Sequence, residues 1–518
     1  MLKRNDAWTG RQNASPPVRP LLFSLLALIC AGLVGCPLGF DVAENGGIGG
    51  TGISQGPITG FGSIFVNGVE WETDAADIRI DDVPSIPESL RLGMVVRVEG
   101  TIGADGLRGR AERVVFDDDV EGPIEDVPEE TVPGVEKRFS VLGHTVIVVV
   151  DFTTFDGTAS FAELEAEDMV EVSGLIDAEG RIHATRVEGH DAFDPGSSLA
   201  ELKGDASAWV QGDTSAGVFA IGGVMIRYDA DTDFVGLVRG DLVGAPYVEV
   251  EGVLESTREI HADRVELEDE GFEAAEGKAI ELMGFVSDFI SIEDFRVFGL
   301  PVDARTAEID EDLLLADGVL VEIQGTLLGG VLIAEEIEAA DDDDDHEARI
   351  RASASNLDYD ARTLKILGVS VRTDAKTMLK DDLLHLPRFR FDEIVEGDWL
   401  DIKGREVEGM PSTVLASRIE RRAPQADVEL RGRVGFHDLM QQEIQILGID
   451  LPPLDLSGGT LFFDGSGVEI DVSAFMAVLD GGSEIVVTAR DRDAADKRSM
   501  GEIDELELET ELSTGSDD

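Results

Sequence analysis

The segment Ser63-Ile64-Phe65-Val66-Asn67-Gly68-Val69-Glu70-Trp71 decides the fold. Two alternating apolar runs flank Asn-Gly, the pair that supplies the positive φ angles of a tight type I′ turn. Alternation puts Ile64 and Val66 on one face, toward a core. The pattern apolar-x-apolar-x-Gly recurs at Phe139 to Gly143, Phe219 to Gly223, Phe295 to Gly299, Leu364 to Gly368 and Ile444 to Gly448. An apolar residue follows three places after each Gly: Trp71, Val146, Ile226, Val302, Val371 or Leu451. Gly68, Gly143, Gly223, Gly299, Gly368 and Gly448 are therefore read as structural turn glycines. A period of this kind marks a tandem array of similar modules.

Each module has more strands around its hairpin. A short strand precedes it, as at Gly284-Phe285-Val286 and Gly432-Arg433-Val434. Asp-Ala-x-Thr follows in three copies: Asp229 to Thr232, Asp303 to Thr306 and Asp374 to Thr377. A connection of variable length comes next, helix-like at Ser160 to Asp168, as expected of a loop. Then comes a strand with a Gly stop: Val96 to Gly100, Val170 to Gly174, Val248 to Gly252, Val321 to Gly325 and Leu400 to Gly404. The sixth copy has Ala489 at the Gly place. The last strand reads Ile182-His183-Ala184-Thr185-Arg186-Val187, and its three-residue step from Ala to Val breaks period two and predicts a bulge.

The expected fold is all-β. It is a tandem array of about six small five-stranded OB-like barrels, with an SH3-like barrel as the alternative, after a signal peptide and flexible tether. The expected boundaries are 1–35 signal peptide, 36–56 Gly-rich tether, 57–120, 121–200, 201–277, 278–347, 348–424 and 425–510 for repeats 1 to 6, and 511–518 acidic tail. Domains this small bury little surface alone, so neighbours are expected to support one another.

The chain has 518 residues and a net charge of −65. A field of this sign excludes phosphate-backbone binding, which needs Lys and Arg to displace counterions. No nucleic-acid partner is expected, and single-strand binding also lacks a recurring aromatic platform. A solvated, self-repelling surface is the simplest reading of the charge.

Cysteine occurs only at Cys30 and Cys36, which leaves no disulfide framework for the body. Leu21 to Val34 is a 14-residue apolar run after a basic start, fitting a secretory signal better than a membrane span. It ends in Leu33-Val34-Gly35-Cys36, which resembles the lipobox of bacterial lipoprotein signals. The resemblance implies acylation of Cys36 as the lipid attachment, and multiple acyl chains anchor stably. Pro37 in place of Asp implies sorting to the outer membrane of a Gram-negative cell.

Gly49-Gly50-Thr51-Gly52-Ile53, leading into Gly60 to Gly68, with Val-Glu-Val-x-Gly further on, resembles the bacterial repeats catalogued as domain of unknown function 5666. The resemblance covers most of residues 45–510 and is weakest in the sixth module. It implies no activity and no catalytic residues.

Other motifs fail on context. Gly47 to Gly52 fits Gly-x-Gly-x-x-Gly but lacks a strand before it and a helix after it. Gly52 to Gly56 fits Gly-x-Ser-x-Gly but leads into a β-run. His183 and His261 occupy matching places in different modules and read as exposed strand positions. Asp229 to Asp233 starts like a calcium loop, but Phe234 and Gly240 stand where Gly and Glu are needed. The run Asp341, Asp342, Asp343, Asp344, Asp345, echoed by Asp117-Asp118-Asp119, is a weak candidate for a hard cation and otherwise a solvated linker.

What repeats is turn glycine and core residue, so no cofactor and no enzyme activity are expected. The expected role is a lipid-anchored cell-envelope protein with a non-enzymatic binding, spacer or assembly function. Its expected partners are the membrane through Cys36 and an envelope protein, glycan or divalent cation. Alternatives are a divalent-cation or cationic-ligand binder, a glycan-binding array and, least favoured, a hydrolase.

Overall fold

A computed structural model describes residues 50–509, apart from 62, 104–106, 151, 212–215, 269–275, 311–312, 341–347, 385, 387, 408, 411, 439 and 481–484. The expected signal peptide, Cys36, most of the expected tether, the run Asp341 to Asp345 and the acidic tail lie outside the described residues.

The described chain is nearly all β, arranged as tandem five-stranded barrel units. Module 2 shows the plan. Its first strand, Val120–Pro123, pairs antiparallel with the fourth, Met169–Ile176. The second and third, Glu136–Val141 and His144–Val149, form the hairpin. The fifth, Ile182–Gly189, lies between the third and fourth and runs parallel to the third. A bridge between Ile124 and Val141 brings first and second together. This ring order, 1-2-3-5-4, is OB-like, and the parallel pairing of third and fifth strands distinguishes it from an SH3-like barrel. In module 4 a single long strand, Ala279–Ser291, pairs with Leu320–Leu328 through its first half and with Asp294–Val297 through its second, closing the barrel.

All six hairpins turn through two residues at positive φ: Asn67 and Gly68 (47° and 77°), Leu142 and Gly143 (45° and 84°), Gly222 and Gly223 (55° and 92°), Phe298 and Gly299 (50° and 69°), Leu367 and Gly368 (47° and 89°), Leu447 and Gly448 (49° and 68°). That is type I′ geometry, which matches the twist of the flanking strands.

The step in the last strand is a bulge in modules 1 to 5. In module 2, Ser173 faces Arg186 while Gly174 faces Ala184, leaving Thr185 out of register. The same shift falls at Gly100, Gly252, Gly325 and Gly404. A Cβ at these glycines would lie 2.1 to 2.5 Å from a facing carbonyl oxygen, so the bulge needs Gly. In module 6, Ala489 faces Leu506 in unbroken register. Loss of the glycine and loss of the bulge coincide.

Two expectations are corrected. Residues 50–56, read as the end of a flexible tether, belong to Gly50–Pro57, the first strand of module 1, which pairs with Val95–Ile102. Its glycines serve close packing: a Cβ at Gly56 would lie 2.2 Å from Asn67 Oδ1. Ser160 to Asp168 forms turns, not a helix. The one α-helix among the described residues is Val472–Leu479 in module 6, capped by Asp471, whose Oδ1 accepts from the Ser473 and Ala474 amides. No helix among them is long and apolar enough to cross a membrane.

The modules join in pairs through their first strands. Modules 2 and 3 pair Val120 with Leu202 and Glu121 with Glu201, antiparallel. Modules 5 and 6 pair Ile350 with Leu430, also antiparallel. Modules 1 and 4 pair Gly52 to Gln55 with Ala279 to Leu282, in parallel. Three 14-stranded sheets result among the described residues. Pairs 2–3 and 5–6 each share one continuous apolar core, whereas modules 1 and 4 keep separate ones. Pairing the first strands hides edges that would otherwise recruit other chains.

Candidate cation site at the junction of modules 1, 2 and 3

The crossing from module 1 into module 2 is Asp117-Asp118-Asp119, between strands Arg108–Phe116 and Val120–Pro123. The Asp119 amide donates to Val172 O at 2.9 Å, and Asp119 Oδ2 accepts from the Gly174 amide at 2.7 Å. These bonds tie the crossing to the strand that bulges at Gly174. From module 1, Asp81 and Asp82 sit at positive φ between strands Asp77–Ile80 and Val83–Ser85, and the Asp81 amide donates to Phe116 O. Module 3 contributes Glu201 and Lys203 from its first strand, Leu199–Asp205.

Asp81, Asp118 and Glu201 converge: one carboxylate oxygen of each lies within 4.8 Å of the others. Asp118 is 3% exposed and Glu201 7%. Among the described residues, Asp81 Oδ1 and Asp118 Oδ1 are buried without an N–H or O–H partner, while Glu201 Oε1 is paired with Lys203. Lys203 Nζ donates to the backbone carbonyl of Asp118 at 2.6 Å and stands 3.1 Å from Glu249 Oε1 and 3.4 Å from Glu201 Oε1. It compensates the Glu201–Glu249 side of the cluster. Arg264 of module 3 holds Asp82 at 2.7 Å on the flank.

The electrostatics follow from burial. Desolvation first, then the charges of Glu171 and Asp117, pushes Asp81 up to about 7. Asp118 is raised well above the carboxylate range by burial, and Asp119 is pushed up to about 6 for the same reason. Burial and the charge of Asp118 raise Glu201 far above its usual value. For Lys203, burial works against the charge, but Glu249, Glu201 and Asp118 outweigh it and raise its pKa.

A second trio, Asp491, Asp493 and Asp504, lies in module 6. Asp491 Oδ2 accepts from the Gly501 amide at 2.7 Å, and Oδ1 is buried without a donor. Asp493 is exposed.

Asp118 was legible only as an echo of the longer aspartate run. Asp81 and Glu201 carry no local signal, because strand pairing and a turn bring them in from 37 residues before and 83 after Asp118. His183 and His261 are strand residues held by carboxylates, Asp177 at 2.9 Å and Asp229 at 3.2 Å, and do not come together. Thr232, Thr377 and, by analogy of place, Thr153 donate to Ala262, Ala416 and Ala184 carbonyls at 2.6 to 2.7 Å. Thr232, Thr377 and Thr153 thus serve the bulge, whereas Thr306 of module 4 is exposed.

The chain belongs to the family described as Domain of unknown function (DUF5666), whose model matches five times, at residues 53–115, 121–188, 210–266, 283–338 and 355–420. Those matches cover modules 1 to 5; module 6, with its unbulged strand and added helix, lies outside them. No curated protein matches the chain. A solved structure of drosophila Unr CSD456 aligns at 14% identity over 42% of this chain and 97% of its own, with a TM-score of 0.13. A similarity of that size carries no argument.

Proposed function

We propose that this is a lipid-anchored cell-envelope protein, held in the outer membrane through Cys36, with a non-enzymatic spacer or assembly role. The pairing of modules 1 and 4 supports this reading most strongly. It brackets modules 2 and 3 along the chain between two strands that share one sheet, so main-chain hydrogen bonds tie module 1 to module 4 and module 2 to module 3. Such an array suits holding surfaces at fixed separation. The repeated polar residues point the same way, since Thr232 and Thr377 are spent on folding.

The test has two arms. Replacing Cys36 with Ser should release the protein from membrane fractions and abolish labelling by palmitate. Pull-down with the mature chain from envelope extract should recover a defined partner that a module 5–6 truncation loses. Membrane retention and labelling of Cys36→Ser would overturn the anchor; turnover of an envelope substrate would overturn the non-enzymatic role.

A further inference from the structure

We propose that the outer face of the sheet shared by modules 5 and 6 binds an acidic polysaccharide along a line of cationic side chains. This rests on the non-enzymatic reading of the protein and not on the anchor at Cys36.

Strand pairing sets the line. Ala348–Ser353, the first strand of module 5, pairs with Trp399–Glu406 on one side and with Val428–Asp438, the first strand of module 6, on the other. Ile350, Ile402 and Leu430 lie in register and belong to the core. The residues between them therefore face outward. One step along, Arg418, Lys403, Arg349 and Arg431 stand in register on four adjacent strands. Neighbouring strands are about 4.8 Å apart, so a positive charge recurs at that interval. Like charges directly opposite destabilise a sheet, so folding gives no reason for this line.

Modules 2 and 3 supply an internal comparison. Their first strands pair in the same way, with Val120 opposite Leu202 where Ile350 stands opposite Leu430. Counted from those positions, Arg349, Arg351, Lys403, Arg405, Arg433 and Arg490 take the places of Asp119, Glu121, Ser173, Leu175, Asp205 and Glu251. The fold accepts acids where modules 5 and 6 hold cations. In a chain of net charge −65, that concentration of positive charge points to an anionic ligand.

The carboxylates of this face are confined to one side of the line. Glu420, Asp401 and Glu429 share the next line with Arg351. Asp401 alone serves Arg349, Arg351 and Arg422, at 2.8, 3.0 and 3.6 Å. On the other side stand Arg405 and Arg433. Arg349, Arg351 and Arg431 keep 25 to 35% of their side-chain area open, and Arg405 is exposed.

The chemistry selects the ligand. Arginine presents a planar fork that matches carboxylates and sulfates. No aromatic side chain stands in the line, so nucleic-acid bases have nothing to stack on. Screening confines the attraction to about 8–10 Å. A narrow chain feels the line itself, whereas a broad anionic membrane meets the net negative charge of the whole protein.

The experiment measures binding of the full chain to immobilised alginate and heparin across a salt series, with dextran as the uncharged control. Wild type should bind either acidic polymer at low salt, release it as salt rises and ignore dextran. The triple variant Lys403→Ser, Arg405→Leu and Arg433→Asp installs the residues that modules 2 and 3 hold at these places. It should lose roughly tenfold in affinity with its melting temperature little changed. Arg405→Leu alone, at an exposed position, should lose about threefold and keeps the test decisive if the triple variant misfolds. Arg110→Gln removes an exposed arginine of module 1 and should bind as wild type. No retention of wild type on alginate or heparin would overturn the proposal. So would an equal loss in Arg110→Gln, binding to phosphatidylglycerol vesicles or single-stranded DNA in place of the polysaccharides, or salt-sensitive self-association without polymer binding. Alginate shortened during the assay would mark a different failure, that of the non-enzymatic reading itself.

Discussion

Leu447, in the turn of the sixth hairpin, lies directly on Gly432 of its module's first strand: a Cβ at position 432 would stand 2.2 Å from Leu447 Cδ2. The arrangement recurs. Leu142 covers Gly122, Phe298 covers Gly284 and Asn67 covers Gly56. The covering residue is the first of the two left-handed turn positions. A non-Gly residue there is strained, and burial over the glycine seat offsets that strain. Gly432→Ala is expected to destabilise by about 1–3 kcal/mol through overpacking. Gly240→Ala, where a Cβ meets nothing within 4 Å, is the control and should change little. Denaturant midpoints of the two variants check this, and equal midpoints would refute the seat.

The bulge has its own lock. Thr232 Oγ1 donates at 2.7 Å to the Ala262 carbonyl, beside the register shift opposite Gly252. Thr232→Val keeps the shape and leaves that buried carbonyl without its donor. A cost of roughly 1–3 kcal/mol is expected. Hydrogen exchange should quicken around Ala262 and not in module 6, and unchanged exchange at Ala262 would count against the lock.

Lys376 of module 5 reaches across to module 4. Its Nζ stands 3.1 Å from Glu322, which is 3% exposed, and 2.7 Å from Glu338. Lys376→Met removes the partner of a buried carboxylate and should cost about 2 kcal/mol, the lysine being partly solvated. Adding Glu322→Gln should recover part of that loss. If the double variant is no better than the single one, the pair is not what the lysine contributes.

Stability should also fall as pH rises. Burial, then the charge of Glu322, pushes Glu281 up to about 8, with Glu336 adding to the shift while Lys376 and a Ser54 hydrogen bond oppose it. From the ordinary value of 4.5 up to about 8 the folded chain holds a proton that the unfolded chain has lost. Stability therefore declines across that window and levels above it. In calcium-free buffer the melting temperature should drop between pH 5 and 8.5, and Glu281→Gln should flatten the slope. An identical slope in the variant would contradict the assignment.

Much of the fold was readable because it rests on local chemistry. Asn67-Gly68 specified a turn, and the Ala184 to Val187 step specified a bulge. The pairing of modules was not readable. Gly52 meets Ala279 across more than 200 residues, and neither carries a mark of its partner. The same holds for the junction: Asp118 sits in a visible aspartate run, but Asp81 and Glu201 look like ordinary strand and turn residues. The tether was misread because Gly52 and Gly56 suggest flexibility when their neighbours across the sheet are unknown. The helix Val472–Leu479 was also missed, although Asp471 is an ordinary cap.

The central claim is that modules 1 and 4 share a sheet, and one cross-link tests it directly. Ser54 and Glu281 are register partners in adjacent parallel strands. With Cys30 and Cys36 replaced by Ser, the chain has no other cysteine. In that background Ser54→Cys with Glu281→Cys should form an intramolecular disulfide on oxidation, seen as a faster band without reductant and as a linked peptide pair after proteolysis. Free thiols under the same conditions, or disulfides only between chains, would contradict the pairing.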